Sequence, residues 1–304
     1  MSEIRFDNKV AIVTGAGAGL GKSYALEFGR RGAKVVVNDL GAAVDGSGSS
    51  HNAADLVVDE IKKAGGQAVS NYDSVSTAEG GEKIVNTALD AFGSADILVN
   101  NAGIVRDHSF LKLTEDEWDL VISVHLKGAY NVTKPALASM REKNYGRVVF
   151  TSSGVGLYGN FGQANYAAAK MGLIGLMNTL VIESIKHNIK LNAIAPNAAS
   201  RMTEKVLPPP LFEKLKPEHI APMVMWLASE QNQDTGMIFN CMGGWYSRTA
   251  IMCASGIIIG DGSSTVTAED IQKNWGVIKS LEGARPLTSI GESFGYVAPL
   301  LSKQ

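Results

Sequence analysis

Short apolar runs alternate with longer amphipathic stretches along the chain. The runs lie near 9–14, 34–39, 67–73, 95–100, 146–152, 189–195 and 236–240, and each is followed by apolar positions at helical spacing or by a loop. Continuous apolar strands fit a sheet covered on both faces, and the intervening helices return the chain to the same edge. The pattern therefore predicts an α/β protein with a doubly wound, seven-stranded parallel sheet and helices on both faces. Thr114 and Glu117 form a capping-box pattern at the start of one helix, and a long helix is expected from Gln163 to His187. The small, apolar middle of that helix, AAAKMGLIGLMNTL, reads as buried on more than one face. Residues 1–249 hold all seven strands, and 250–304 form a C-terminal extension expected to pack on the core or on a partner subunit. Within the extension Ile271, Trp275 and Ile278 recur at helical spacing behind Thr267, which predicts a capped helix with a buried face.

The first strand runs into Thr14 and the string TGAGAGLG, after which a helical pattern begins. Strand, glycine turn and helix in that order make a phosphate cradle. Gly15 permits the tight turn, Gly19 and Leu20 bring backbone toward a pyrophosphate, and Gly21 lets the helix pack closely on the sheet. The second strand ends at Asp39, eighteen residues after Gly21, where a carboxylate can accept from the ribose hydroxyls of a dinucleotide. Asp39 would repel a 2′-phosphate, and no arginine follows it in Leu40 to Ser50, so the cofactor expected is NAD. The fold is then of the Rossmann type.

Tyr166 and Lys170 stand four residues apart, on one helical face, with Ser153 thirteen positions upstream. Free tyrosine titrates near 10 and is a poor base at neutral pH. A unit charge at about 4 Å in an effective dielectric of about 20 contributes roughly 4 kcal/mol, enough to lower the phenol by about three pKa units. Tyr166 would then take a proton from an alcohol whose carbon gives up hydride, with Ser153 holding the oxygen. By itself Tyr-x-x-x-Lys also fits two residues on a solvated helix face.

Taken together, these residues resemble the short-chain dehydrogenase/reductase family. Its TGxxxGxG reads as Thr14, Gly15, Gly19 and Gly21, its NNAG as Asn100 to Gly103, and its Ser, Tyr and Lys as Ser153, Tyr166 and Lys170. The resemblance implies that Asp73 contacts the adenine, that Asn101, Ala102 and Gly103 support the central strand and the adenine ribose, and that Thr203 meets the nicotinamide end. It implies that Lys170 also holds the nicotinamide ribose, and that the Tyr166 helix packs against its mate in a homodimer. Two positions depart from the family. His125, in SVHLKG, replaces the asparagine of its proton relay, and Asn197 follows Pro196 where glycine is usual. An imidazole could itself shuttle protons; the plainer reading is a packed histidine. The stretches HLKG, YGNFGQANYAAAK and NAIAPNAASRMTE are similar to a narrower group, the (3R)-hydroxyacyl-CoA dehydrogenase domains of peroxisomal β-oxidation. That likeness implies NAD-dependent oxidation of (3R)-3-hydroxyacyl-CoA to 3-ketoacyl-CoA, an acyl-CoA-type substrate and a hydratase partner.

Composition narrows the alternatives. The 304 residues are 45% hydrophobic with a formal charge of −2, which gives no reason to expect nucleic-acid or membrane binding. Cys241 and Cys253 are too few for a disulfide framework, and the five histidines form no metal-ligand spacing. No apolar segment approaches the roughly 18 residues that span a bilayer. The terminal Ser302-Lys303-Gln304 is not the SKL peroxisomal address, so a soluble, intracellular protein of the cytoplasm is expected, or of the peroxisome if a downstream part or partner carries the signal. Gly41 to Ser50, long and without apolar anchors, is expected to be mobile, and Ala198 to Leu215 to form a lid over substrate. Two rival functions stand beside the acyl-CoA reading: oxidation or reduction of a steroid or other secondary alcohol, and a catalytically silent cofactor-binding module. An intact Ser153, Tyr166 and Lys170 speak against the second.

Overall fold

The computed structural model describes residues 3–199 and 208–303, and within these the chain forms two compact units, Met1–Arg248 and Thr249–Gln304. In the first, strands and helices alternate: β1 (Val10–Thr14), α1 (Gly19–Arg30), β2 (Lys34–Asn38), α2 (Asn52–Lys63), β3 (Gln67–Asn71), α3 (Ala78–Phe92) and β4 (Ile97–Asn100). There follow α4 (Glu115–Ile122), α5 (Gly128–Lys143), β5 (Gly146–Thr151), α6 (Gly154–Tyr158), α7 (Ala164–Glu183), β6 (Ile189–Asn197), α8 (Pro209–Phe212), α9 (Ala221–Ala228), β7 (Ile238–Met242) and β8 (Trp245–Thr249). The sheet order is β3-β2-β1-β4-β5-β6-β7-β8, with parallel register from β3 through β7. The seven expected strands are therefore joined by an eighth. β8 follows β7 after only Gly243 and Gly244, too short for the crossover a parallel pair requires, so the added strand turns back along the edge.

Strand side chains alternate between two cores. Ala11, Val13, Val35, Val37, Ile97 and Val99 face α1, α2 and α9, meeting Tyr24, Phe28, Ile61 and Val224. Val10, Ile12, Val36, Leu98, Val148 and Phe150 face α3, α5 and α7, meeting Ile84, Val132, Leu173 and Met177. Every residue of β1, β4 and β5 is buried, which is why these strands read as unbroken apolar runs. Each large aliphatic side chain so enclosed contributes about 1.5–3 kcal/mol. Helix ends follow the local chemistry. Thr114 and Glu117 close the capping box that opens α4, and Thr77 caps α3 by accepting from the Gly80 amide.

Helix α7 begins at Ala164 behind Gln163 and ends at Glu183, four residues short of the expected His187. Within the chain only one of its faces is buried: Asn165, Ala169, Lys170, Leu173, Ile174 and Met177. Ala168, Met171, Gly175 and Ile182 lie exposed on another, so the expectation of burial on several faces is not met by this chain alone.

In the second unit β9 (Met252–Cys253) pairs with β10 (Arg285–Pro286) in antiparallel register, flanking α10 (Ala268–Ile278), and α11 (Ile290–Phe294) follows. The expected α10 forms, with Thr267 and Asp270 completing a capping box, yet none of its residues is buried. Propensity and capping suffice to shape the helix, on which Ile271 and Trp275 are exposed and Ile278 is half-buried.

Candidate active site

Strand order reverses on either side of β1, whose neighbours are β2 and β4, and ligands of open α/β sheets bind beyond the carboxyl ends of strands at such a point. A cleft of about 870 Å³ opens there, and it holds the glycine turn, Asp39, Asp73, Ser153, Tyr166 and Lys170 together. Residues more than 150 positions apart in sequence thus share one cavity.

The glycine turn fits a dinucleotide. A Cβ on Gly21 would lie 2.1 Å from the Gly15 carbonyl oxygen, so no larger residue allows α1 to start so close to β1. Ala18 at the N-cap of α1 offers no side-chain cap, and the first turn has no acidic residue. The amides and positive end of the helix dipole are left for an anion of the phosphate class. Asp39 accepts from Gly17 N at 2.7 Å through one carboxylate oxygen and from Gly41 N at 2.7 Å through the other. A carboxylate has about four lone-pair directions, so ribose hydroxyls can still be accepted. Asp73 also lines the cleft and accepts from Asn71 Nδ2 at 2.8 Å.

The NNAG segment is a brace. Thr14 Oγ1 accepts from the amides of Asn101 (3.0 Å) and Ala102 (3.1 Å), while Asn101 Nδ2 donates to the carbonyls of Thr14 (2.9 Å) and Gly15 (3.1 Å). These bonds tie the end of β1 to the end of β4, holding the glycine turn and the cleft wall at fixed separation. Ala102 and Gly103 line the cleft beyond them.

Ser153 caps α6, its Oγ accepting from Val155 N at 3.1 Å. Lys170 is buried, and its Nζ donates to the Thr151 carbonyl at 2.7 Å while standing 5.5 Å from the centre of the Tyr166 ring. Ser152 Oγ donates to the Lys170 carbonyl at 2.8 Å, so β5 grips α7 beside the phenol. Burial dominates the electrostatics of the pair. It raises the Tyr166 phenol to about 12, against a lowering by a side-chain hydrogen bond with Ser153 and a further raising by Asp107. Burial likewise lowers Lys170 to about 7. A tyrosine brought near 7 by an adjacent ammonium is thus not what the free protein contains. The low-dielectric site penalises each isolated charge more than this separation of ammonium and ring returns.

His125 lies in a π-helical turn, Ser123–Lys127, between α4 and α5, and is 3% exposed. Its ring meets Tyr166 edge-on, with centroids 5.0 Å apart at 81°. Nε2 is 3.0 Å from Ile104 N and 2.8 Å from Ile104 O, and Nδ1 has no hydrogen-bond partner. A Cβ at residue 103 would fall 2.3 Å from His125 Cε1, so the ring reaches this position only because Gly103 is glycine. Burial first, and the Lys170 charge second, push the imidazole well below its ordinary 6.5, so it is neutral near pH 7. Both contacts of Nε2 are to main chain, which cannot pass a proton onward. The geometry makes His125 a brace for Ile104 beside the Tyr166 ring.

Thr203 lies outside the described residues, as do residues 200–207 of the Ala198 to Leu215 segment expected to form a lid. Pro196 and Asn197, at the end of β6, do line the cleft. Asp107 was not singled out from sequence: it lines the cleft, accepts from Gln163 Nε2 at 2.9 Å, and is raised above its ordinary 3.8 by burial. No spacing rule marks it, since its partner is 56 residues away. Among the described residues there is no cluster of metal-ligating side chains, and no helix is long and apolar enough to cross a membrane.

A dinucleotide cradle, an acid at the second strand end and a Tyr-Lys pair with its lysine buried, beside a serine in one cleft, describe a hydride-transferring oxidoreductase. Residues 9–208 match the profile of the short chain dehydrogenase family, and the chain belongs to it. It is 54% identical over 301 residues to peroxisomal multifunctional enzyme A of Dictyostelium discoideum, covering 99% of this chain and 67% of that protein. It is 52% identical over 272 residues to peroxisomal hydratase-dehydrogenase-epimerase of Saccharomyces cerevisiae, covering 90% of this chain and 30% of the relative. The solved structure of full-length peroxisomal multifunctional enzyme type 2 from Drosophila melanogaster superposes with a TM-score of 0.83 at 43% identity, covering 99% of this chain and 50% of that one. The chain thus spans only part of the length of each. It is an enzyme of the oxidoreductase class, in a family that works with nicotinamide cofactors.

Proposed function

We propose that this chain oxidises (3R)-3-hydroxyacyl-CoA to 3-ketoacyl-CoA with NAD. The observation that carries the reading is the single cleft in which Tyr166, Lys170 and Ser153 face the glycine turn and Asp39. The chain's similarity to hydratase-dehydrogenase-epimerase supports the substrate class. A hydratase adds water across a double bond and makes a secondary alcohol, the group this site is built to oxidise, which also supports a hydratase partner. Peroxisomal relatives support the peroxisome, not the cytoplasm, as the place of action.

When bound, the nicotinamide supplies the hydride acceptor. The chain's own residues do the rest. Ser153 Oγ orients the substrate oxygen, and the Tyr166–Lys170 pair, which carries one proton in all between about pH 7 and 12, takes the substrate proton at Tyr166 Oη in its phenolate–ammonium form. Asp39 selects the adenine ribose, the amides of Gly19, Leu20 and Gly21 face the phosphates, and Asp73 closes the adenine end. His125 holds Gly103 and Ile104 against the Tyr166 ring. The exposed stripe Ala168, Met171, Gly175 and Ile182 on α7 supports pairing with a second copy; elution at the 32.2 kDa chain mass would remove the homodimer.

The test is NADH formation with R and S 3-hydroxyacyl-CoA of several chain lengths and with a secondary-alcohol steroid, using NAD and NADP in parallel. The R thioesters with NAD should give the highest kcat/KM. Asp39→Ala should narrow the NAD preference by about tenfold or more, the weight of a charge-assisted hydrogen bond. A wild-type enzyme already preferring NADP, or one active on the steroid alone, overturns the assignment.

A further inference from the structure

The segment between β2 and α2 does not hang free. Its base is closed by Ser50 N donating to Leu40 O at 3.0 Å and by Gly41 N on the Asp39 carboxylate. Inside it, Ala43 N donates to Ser47 O at 2.8 Å and Gly46 N to Ala43 O at 2.9 Å. Its tip is fastened across the cleft: Val105 N donates to Val44 O at 3.0 Å, Arg106 Nε donates to Asp45 O at 2.6 Å, and Gly46 sits over the side chains of Ile104 and Leu120.

Topology gives these bonds a consequence. β1 lies between β2 and β4, so a segment that leaves β2 and is tied to the loop after β4 must cross the carboxyl end of β1, where the glycine turn stands. Ala43, Val44 and Gly46 line the same cleft as Gly15 and Gly19. The far side of the fastening reaches the catalytic helix. Asn165 Nδ2 donates to the Arg106 carbonyl at 3.0 Å, and Asn165 Oδ1 accepts from Tyr166 N at 2.8 Å.

We propose that Arg106 is a positioning residue for the dinucleotide: it latches the Leu40 to Ser50 segment across the cofactor end of the cleft, and the latch must open for the cofactor to enter or leave. This rests on the reading of the cleft as an NAD site. The side chain acts through Asp45 O and touches no reacting atom, so its effect falls on cofactor exchange, with hydride transfer itself spared.

Release of NADH is followed by stopped-flow fluorescence on displacement with excess NAD, beside equilibrium affinity and single-turnover hydride transfer. Arg106→Ala should release NADH about tenfold faster and bind it correspondingly weaker, with the single-turnover rate within twofold of wild type. Arg106→Lys, which keeps a charged donor, should recover most of the loss. Hydrogen exchange supplies a second readout: the Val105 amide should gain protection when NADH binds to wild type, and lose that gain in Arg106→Ala. Unchanged release together with unchanged Val105 exchange in a folded Arg106→Ala overturns the latch and leaves the NAD reading standing. A folded wild type that binds no NADH removes both.

Discussion

Replacing Tyr166 with phenylalanine is expected to lower turnover by about a thousandfold while leaving NADH affinity within twofold of wild type. The magnitude is that of a positioned general acid-base group, about 10² to 10⁴. Only the hydroxyl is removed. The ring keeps its edge contact with His125, and the cofactor end of the cleft, from the glycine turn to Asp39, is untouched. Little stability should be lost, because the phenol is buried and uncharged in the free protein, where burial holds it at about 12. Turnover and NADH affinity measured on the same folded variant separate chemistry from binding. Turnover within threefold of wild type would place the proton acceptor elsewhere.

Lys170→Met carries the second large effect, and it acts on activity and stability in opposite directions. Burial holds the lysine at about 7 in the folded protein against an ordinary 10.5. Between those values the unfolded chain binds a proton the native one lacks, so stability falls as pH drops from about 10.5 to 7. Below that the full penalty remains, about 5 kcal/mol at most. Methionine removes the penalty and forfeits the bond to the Thr151 carbonyl, worth about 1 kcal/mol. The variant should therefore be about 2–4 kcal/mol more stable than wild type at pH 6, with the gain fading between about pH 7 and 10.5. Turnover should fall at least a hundredfold.

The same pair sets the pH profile of alcohol oxidation. Below about pH 7 both Lys170 and Tyr166 are protonated and the pair has no room for a substrate proton. Between about 7 and 12 it carries one proton in all and can accept another. Wild-type kcat/KM should rise through an apparent pKa near 7 and then level off, and Lys170→Met should lack that limb. Denaturant unfolding at several pH values, with pH profiles of both proteins, checks both halves; a variant less stable than wild type at pH 6 contradicts the account.

The C-terminal region shows where local information stops. Thr267 announces α10 correctly, because capping acts over three residues. Whether Ile271 and Trp275 find cover depends on surfaces far along the chain or on another molecule; they are 41% and 53% exposed. The eighth strand was missed for a related reason. WYSRT has three polar positions and no buried residue, so it lacks the apolar run that marks the other strands.

Sequence alone determined the strand and helix alternation, the glycine turn with Asp39 behind it, and the triplet Ser153, Tyr166 and Lys170, because each is set by periodicity or by chemistry over a short span. Tertiary structure decided what depends on distance and dielectric. It placed Lys170 against the Thr151 carbonyl, enclosed the Tyr166 phenol so that burial outweighs the nearby ammonium, and set the His125 ring against Ile104. It also fastened the Leu40 to Ser50 segment to Arg106, 61 residues beyond Asp45. Main-chain hydrogen bonds between remote segments leave no trace in residue type, and desolvation is a property of the assembled core. Neither can be read along a line.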